Sequence, residues 1–133
     1  MEAMKRKVPS AERLLTRAEL ELMAILWSLA EASVAEVIGA LPRSREVAYT
    51  TVSTILRILE QKGFVVSRKE GRGHLYSPKI SKDAYETRSL KQLVHKVFDG
   101  VPSALVRRLL DEHALSRDEI HEIQAMLNKR IRS

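Results

Sequence analysis

The sequence predicts a mainly α-helical chain that contains one small β-hairpin. Three segments, at Thr16, Ser33 and Ser116, have the hydroxyl–x–x–Glu pattern of a helix capping box. Each is followed by apolar residues at helical spacing. Between the second and the third, residues 64–78 form two runs rich in β-formers around a turn that contains glycine. With 133 residues, the chain is long enough for one small domain or two very small ones.

The first two helices are expected to begin at Thr16 and Ser33. The first runs to about Ala30, and the second ends near Pro42 because proline cannot continue a helix. One face of the first helix is predicted to carry Leu20, Met23, Ala24 and Trp27. The stripe of the second helix is predicted to be Val34, Val37, Ile38 and Leu41.

A third helix is expected over Ala48–Gly63, since Gly63 is suited to end it. Its apolar stripe is Val52, Ile55, Leu56 and Leu59. Its opposite face carries Thr50, Ser53, Thr54, Arg57 and Gln61. A helix face exposed only to water usually carries Glu, Lys and Ala, whereas short hydroxyls with an arginine suit close approach to a polar surface such as base edges and phosphates. The alternative is an ordinary helix with tolerated hydroxyls.

A hairpin is predicted next, with strands Phe64–Arg68 and His74–Pro78 and a turn over Lys69–Gly73. The tip is expected to carry Arg68, Lys69 and Arg72. A helix followed by a hairpin with a basic tip is the order of a winged helix-turn-helix domain. Residues 41–80 hold eight Lys or Arg and three acidic residues, a net +5 of the chain's +6. A localised basic region is the charge pattern of a DNA binder; the alternative is a solvated surface without a partner.

Three more helices are expected after Ile80. The first runs from Ser81 to about Phe98, Asp99-Gly100 interrupts the pattern, Pro102 suits the start of the next, and Ser116 caps the last. Such short apolar helices bury little surface alone, so pairing with a second copy is predicted; the alternative is a monomer whose helices fold back. The predicted dimerisation residues are Leu90, Leu93, Val97, Leu105, Leu109, Ile120, Ile123 and Leu127. The expected organisation is a flexible arm (1–12), a winged-helix domain (13–80) and a helical dimerisation domain (81–133).

The sequence offers no pattern for catalysis or for a cofactor. Cysteine is absent, so thiolate metal sites and disulfides are excluded. His121-Glu-Ile-Gln-Ala125 lacks the second histidine of a zinc-protease helix, and Gly71-Arg-Gly73 is a turn rather than a phosphate loop. No apolar run reaches 18 residues and no signal peptide is evident. A cytoplasmic protein without direct membrane association, which is not an enzyme, is therefore expected.

Several segments resemble the penicillinase-repressor family (the BlaI/MecI/CopY type) over roughly residues 13–112. They are Leu15-Thr-Arg-Ala-Glu-Leu-Glu-Leu-Met-Ala-Ile-Leu-Trp27, Ser33-Val-Ala-Glu-Val37, Ala48-Tyr-Thr-Thr-Val-Ser-Thr54, Glu60-Gln-Lys-Gly63 and Tyr76-Ser-Pro78. The resemblance implies a homodimeric transcriptional repressor on double-stranded, palindromic operator DNA. The DNA-binding residues expected are Arg43, Arg45, Tyr49, Thr50, Thr51, Ser53, Thr54, Arg57, Lys69 and Arg72.

The resemblance leaves the inducing signal open. Copper-responsive members carry a cysteine-rich C-terminal motif that this chain lacks, so copper sensing of that type is not expected. β-Lactam-responsive members are released by a membrane sensor-protease, and the corresponding zone here is around Val94–Gly100. A different class of function, a winged-helix module for protein–protein binding, is the alternative to DNA binding.

Overall fold

A computed structural model describes residues 14–42 and 46–133 of the chain. The predicted flexible arm (1–12) and the connection residues Arg43 and Arg45 lie outside these ranges. The elements in chain order are α1 (Arg17–Leu29), β1 (Ala32–Ser33), α2 (Val34–Ala40), α3 (Tyr49–Gln61), β2 (Val65–Glu70), β3 (Gly73–Pro78), α4 (Lys82–Val97), α5 (Pro102–Asp111) and α6 (Arg117–Arg132). The chain divides into two compact units, the first ending at Ser89 and the second covering Leu90–Ser133.

Local capping starts three of the helices where the sequence predicts. In each capping box the hydroxyl accepts a hydrogen bond from the backbone amide of the glutamate three residues later. The distance is 3.1 Å in α1, α2 and α6. The glutamate side chain in turn accepts the amide of the capping residue, at 2.8–2.9 Å. These reciprocal bonds satisfy amides that a helix end leaves unpaired. All three predicted capping boxes are confirmed.

The wing is a three-stranded antiparallel sheet with the order β1-β3-β2. The predicted turn over Lys69–Gly73 is too long, because Lys69 pairs with His74 and Glu70 with Gly73 inside the ladder. Only Gly71 and Arg72 connect the strands, with Gly71 at φ +60°, a conformation that glycine adopts without strain. The sequence does not reveal β1, since two residues carry no period; Ala32 and Ser33 pair with Tyr76 and Leu75.

The core of the first unit forms where α1, α2 and α3 pack on the sheet. The predicted apolar stripe of α3 is confirmed, because Val52, Leu56 and Leu59 are buried and Ile55 packs against them. The largest fully buried side chains are Phe64, Met23, Leu26, Leu56, Leu59, Val37, Val52 and Val65.

The predicted apolar face of α1 is not the face that the helix buries in the core. Met23 is buried as expected, but its companions in the core are Leu22 and Leu26, whereas Leu20 is 37% exposed. Residues 20–27 are mostly apolar, so the helical period alone cannot select the inner face. Instead, Leu20, Ala24 and Trp27 line an open groove of about 420 Å³ together with residues of α4.

The beginning of α4 belongs to the core of the first unit. Tyr85 is buried, its hydroxyl accepts the amide of Leu15 at 2.9 Å, and its ring lies 5.9 Å from Trp27 and 6.1 Å from Phe64. The indole of Trp27 donates to the carbonyl of Ile80 at 2.9 Å. The core of this unit therefore extends beyond the hairpin and includes the first turn of the following helix.

The second unit has exposed apolar faces. No residue of α5 or α6 is buried. Asp99 and Gly100, both at positive φ, end α4, and Pro102 stands in the first turn of α5 as predicted. The exposed large apolar side chains of the second unit are Leu90, Leu93, Val97, Val101, Val106, Leu110, Ile120, Met126, Leu127 and Ile131. Across residues 14–42 and 46–133, no helix combines the length and the apolar character needed to cross a membrane.

We expect a fragment that ends at Ser89 to unfold cooperatively, and a fragment that ends at Ile80 to be less stable by about 3 kcal/mol or more. The shorter fragment loses Tyr85, and deletion of a buried aromatic side chain costs about 3–5 kcal/mol. Urea unfolding followed through the fluorescence of the single tryptophan measures the difference. Equal stability of the two fragments would contradict this role of Tyr85.

Candidate nucleic-acid interface

Helix α3 has a polar face opposite its buried stripe. Thr50, Thr51, Thr54 and Arg57 are exposed on it, and Ser53 is half-buried. Tyr49, at the first position of the helix, is 58% exposed. The structure therefore brings together every predicted DNA-binding residue of this helix. It leaves their role as a prediction, and Arg43 and Arg45 lie outside the described residues.

The C-terminal end of α3 is held by an ion pair to the start of α1. Lys62, which follows α3, donates its ammonium group to one carboxylate oxygen of Glu19 at 2.5 Å, while the other oxygen accepts the amide of Thr16. Burial alone raises the pKa of Glu19, but the hydrogen bond and charge of Lys62, with the bonds from Thr16, outweigh it and lower the pKa below its usual range. One carboxylate thus joins a helix cap to the end of the polar helix.

A second polar contact joins α3 to the wing. The hydroxyl of Ser67 in β2 donates to Glu60 in the last turn of α3 at 2.8 Å. Beside them Tyr76 of β3 is buried, and its pKa is raised by that burial and by the charge of Glu60, against a lowering effect of Arg57. The helix and the hairpin are therefore linked by polar contacts as well as by the apolar core.

The three cations expected at the wing tip differ in their surroundings. Arg72 lies in the turn and Lys69 near the end of β2, and within the described part of the chain neither has an acidic partner. Arg68 does not belong to a free basic tip: it lies in mid-strand and binds the carboxylates of Glu31 and Glu70. The prediction that Arg68 adds its charge to the tip is wrong, because strand pairing places it beside those two acids.

The predicted dimerisation residues all lie in the second unit. Among them Leu90, Leu93, Val97, Ile120 and Leu127 are exposed, and Leu105, Leu109 and Ile123 are half-buried. Apolar side chains at this level of exposure along successive helices are typical of interaction surfaces, and their role in dimerisation stays a prediction.

Glu19, Lys62 and Glu31 are residues whose structural roles the sequence pattern does not disclose. Glu19 is recognisable only as part of a capping box and Lys62 only as a cation near a helix end. Glu19 and Lys62, which bind each other, are 43 residues apart in the sequence, and Arg68 and Glu31 are 37 residues apart. No local spacing rule connects residues at such distances. Among the residues described, no group of three His, Asp or Glu is arranged to hold a metal ion.

The chain is similar to known repressors along most of its length. The sequence profile of the penicillinase repressor family matches residues 15–129. The methicillin resistance regulatory protein MecI of Mammaliicoccus sciuri is 28% identical over 116 residues, covering 87% of this chain and 94% of that protein. The penicillinase repressor of Bacillus licheniformis is 28% identical over 124 residues, covering 93% and 94%.

A solved structure is similar to the first part of the chain. The DNA-binding domain of the repressor BlaI is 33% identical and covers 59% of this chain and 92% of that domain, with a TM-score of 0.49.

The fold, with its polar helix and adjoining wing, is that of a winged helix-turn-helix domain. The match over residues 15–129 establishes that the chain belongs to the penicillinase repressor family. It is accordingly a DNA-binding transcriptional repressor and not an enzyme.

We expect Glu19→Gln to lower stability at neutral pH by about 1.5–3 kcal/mol, the range for a hydrogen bond to a charged group. Because folding lowers the pKa of Glu19, its contribution is present above the ordinary carboxylate pKa and is lost as pH falls through the lowered value. The difference between wild type and variant should therefore disappear on acidification. Urea unfolding at several pH values measures it.

Glu36→Gln is the matched control for this experiment. Glu36 closes the same kind of capping box in α2, but among the described residues it holds no cation. Glutamine also serves at this position of a capping box, so this variant should differ little from wild type at any pH. A pH-independent loss in Glu19→Gln would show that the Lys62 ion pair does not stabilise the fold.

Proposed function

We propose that the chain is a homodimeric repressor that places α3 of each protomer in a major groove of a palindromic operator. The observation that carries the proposal is the exposed face of Thr50, Thr51, Thr54 and Arg57 on a helix held against the wing. The wing tip has cations without an acidic partner among the described residues. A major groove admits an α-helix, and each base pair presents there its own pattern of donors and acceptors.

The chemistry of this face suits base recognition. A threonine hydroxyl donates or accepts a hydrogen bond, and its methyl group can contact that of thymine. Arg57 carries the planar fork that binds the O6 and N7 atoms of guanine together. Ser53 is the half-buried member of this face and Tyr49 precedes it at the start of the helix; we assign both contacts with the sugar-phosphate backbone. The hydroxyl-bearing side chains are short, so the helix backbone can approach the base edges closely.

The wing and the preceding connection are proposed to bind phosphates. Lys69 and Arg72 have no acidic partner within the described residues and are exposed, so their charges are available to the DNA backbone. Arg43 and Arg45 are proposed to add contacts before α3. Phosphate contacts set register and orientation without reading sequence. They also release counterions, so affinity should fall steeply as salt rises.

The second unit is proposed to pair two protomers. Its exposed apolar side chains would be removed from water in a dimer, and the commonest symmetric oligomer is the twofold dimer. A twofold dimer presents two winged-helix units, and these match an operator whose two half-sites are related by the same symmetry. Holding two heads together raises the local concentration of the second once the first has bound. Repression then follows from occlusion of the operator. Because the proposed ligand is genomic DNA, we place the protein in the cytoplasm without direct membrane association.

Relief of repression is proposed to occur by cleavage near Asp99–Gly100. Both residues are exposed and have positive φ between α4 and α5, which makes the segment a suitable protease substrate. A cut there would remove α5 and α6 from the reading head and reduce pairing. The agent that the family resemblance suggests is a membrane sensor-protease.

Selection of genomic fragments by the purified full-length protein tests the proposal. Binding sites recovered from the source genome should share an inverted repeat, and their affinity should exceed that of random duplex DNA by about 10³-fold or more. Failure to retain any duplex at low salt would favour the protein-binding module instead.

Arg57→Ala should weaken binding to the selected operator by about 1–3 kcal/mol and relax preference at one base position of each half-site. Arg72→Ala, the matched control on the wing, should weaken operator and random DNA by the same factor, since it removes only a phosphate contact. Titrations against the operator, its single-base variants and a random duplex measure both. Sequence-blind losses of equal size would remove the base-reading role of Arg57.

Leu127→Glu should convert the dimer to monomers at micromolar concentration, because it places a charge on the proposed apolar interface. Operator affinity should then fall by about 10²–10⁴-fold as avidity is lost. The control is Leu29→Glu, which replaces an exposed leucine of the first unit. This variant should keep the mass of the dimer. Sedimentation equilibrium measures the mass; a monomeric wild-type protein would refute the paired arrangement.

A further inference from the structure

The wing has two chemically different faces, because side chains alternate along a strand. The pairs Ser67–Tyr76 and Lys69–His74 fall on one face, and the pair Arg68–Leu75 falls on the other. The first face is turned toward α3, since Ser67 bonds Glu60 and Tyr76 lies in the core. Arg68 therefore lies on the face turned away from the reading helix, although it neighbours Lys69 in sequence.

Arg68 donates its hydrogen bonds to groups within the protein. Its Nε and Nη2 atoms bind the two carboxylate oxygens of Glu31 at 2.9 and 3.1 Å, and Nη1 binds Glu70 at 2.9 Å. The contact to Glu31 is bidentate, the geometry that gives an arginine–carboxylate pair its directional specificity. The guanidinium group is thus oriented by three hydrogen bonds to two acids.

The charges of this group are balanced locally. The hydrogen bond and charge of Glu31 raise the pKa of Arg68, and the hydrogen bond from Arg68 lowers the pKa of Glu31. Arg68 and Glu31 therefore each favour the charged form of the other. A phosphate that approached Arg68 would meet the negative charges of Glu31 and Glu70, which is not the case at Lys69.

The pair spans the whole sheet. Glu31 immediately precedes β1, Arg68 is in β2, and β3 lies between those two strands. Strand β1 contributes only two residue pairs to the ladder, and a two-stranded hairpin is marginal without further support. The bidentate contact therefore ties the hairpin to the segment that leaves α1.

We propose that Glu31 and Arg68 are positioning residues that hold the wing at its working angle, and that Arg68 makes no phosphate contact. This inference rests on the proposed function, because it concerns how the wing is presented to the operator. Exposed ion pairs contribute little to global stability, so the pair acts on orientation of the hairpin rather than on folding. In this orientation of the wing, Lys69 and Arg72 make the phosphate contacts.

The test compares Glu31→Gln, Arg68→Gln and Lys69→Gln in the full-length protein, using the selected operator fragment at several salt concentrations. Lys69→Gln should reduce the slope of log affinity against log salt by about 0.9 per protomer, the value for one phosphate contact. Arg68→Gln should lower affinity about threefold to tenfold, within the range for coupled neighbouring residues, with the slope unchanged.

Glu31→Gln distinguishes the two roles most sharply. It removes a negative charge beside the DNA, so a purely electrostatic wing would bind more tightly. A positioning role predicts a loss similar to that of Arg68→Gln, and the double variant should be no worse than either single one. Hydrogen exchange of the Gly71–Gly73 amides should accelerate in both variants and stay unchanged in Lys69→Gln.

The opposite results overturn the inference. Tighter binding by Glu31→Gln with a reduced salt slope in Arg68→Gln would make Arg68 a phosphate contact. Wild-type affinity and turn exchange in both variants would remove any role for the pair. Absence of DNA binding by the wild-type protein would overturn the proposed function and the positioning role together, whereas normal binding by the wild type confines any failure to the positioning role.

Discussion

The arrangement of the first unit depends on one carboxylate, that of Glu19. It is the one charged side chain buried in the core of the described residues, and it must be compensated there, because an unpaired buried charge is strongly destabilising. The compensation comes from both sides: the amide of Thr16 at the start of α1 and the ammonium of Lys62 just after α3. The end of the helix that carries the polar face is therefore tied to the first helix by charge, while its middle is held by Val52, Leu56 and Leu59.

A consequence for the basic region is that net charge and available charge differ. Residues 41–80 carry a net +5, and this sum governs the long-range attraction to a polyanion. Two of these cations are engaged by the fold, Lys62 by Glu19 and Arg68 by Glu31 and Glu70. Within the part of this region that the structure describes, the cations without an acidic partner are Arg57, Lys69, Arg72 and Lys79. Acids in a basic surface thus separate the cations that are bound within the protein from those that can meet phosphate.

The two units solve the problem of a small core differently. The first builds a closed core from three helices, a sheet and the aromatic residues Trp27, Phe64 and Tyr85. The second has apolar side chains on α5 and α6 but buries none of them, and Ile131 is 79% exposed. Small domains gain too little from burial on their own, so an apolar surface of this kind is stable in water when another surface covers it. That physical need, together with family membership, underlies the proposed dimer.

The sequence by itself determined what depends on neighbours in the chain. The capping boxes at Thr16, Ser33 and Ser116, the buried stripe of α3 and the place of the hairpin all follow from spacings of a few residues. Only the tertiary structure decided which side of α1 faces the core, that Ala32 and Ser33 form a strand, and that Arg68 is bound by Glu31. Those outcomes depend on residues 37 to 53 positions apart, which packing brings together and no local period encodes. The local sequence does not show which face of α1 is buried, because apolar side chains lie on all sides of that helix. Contact with α3 and the sheet buries Leu22 and Leu26.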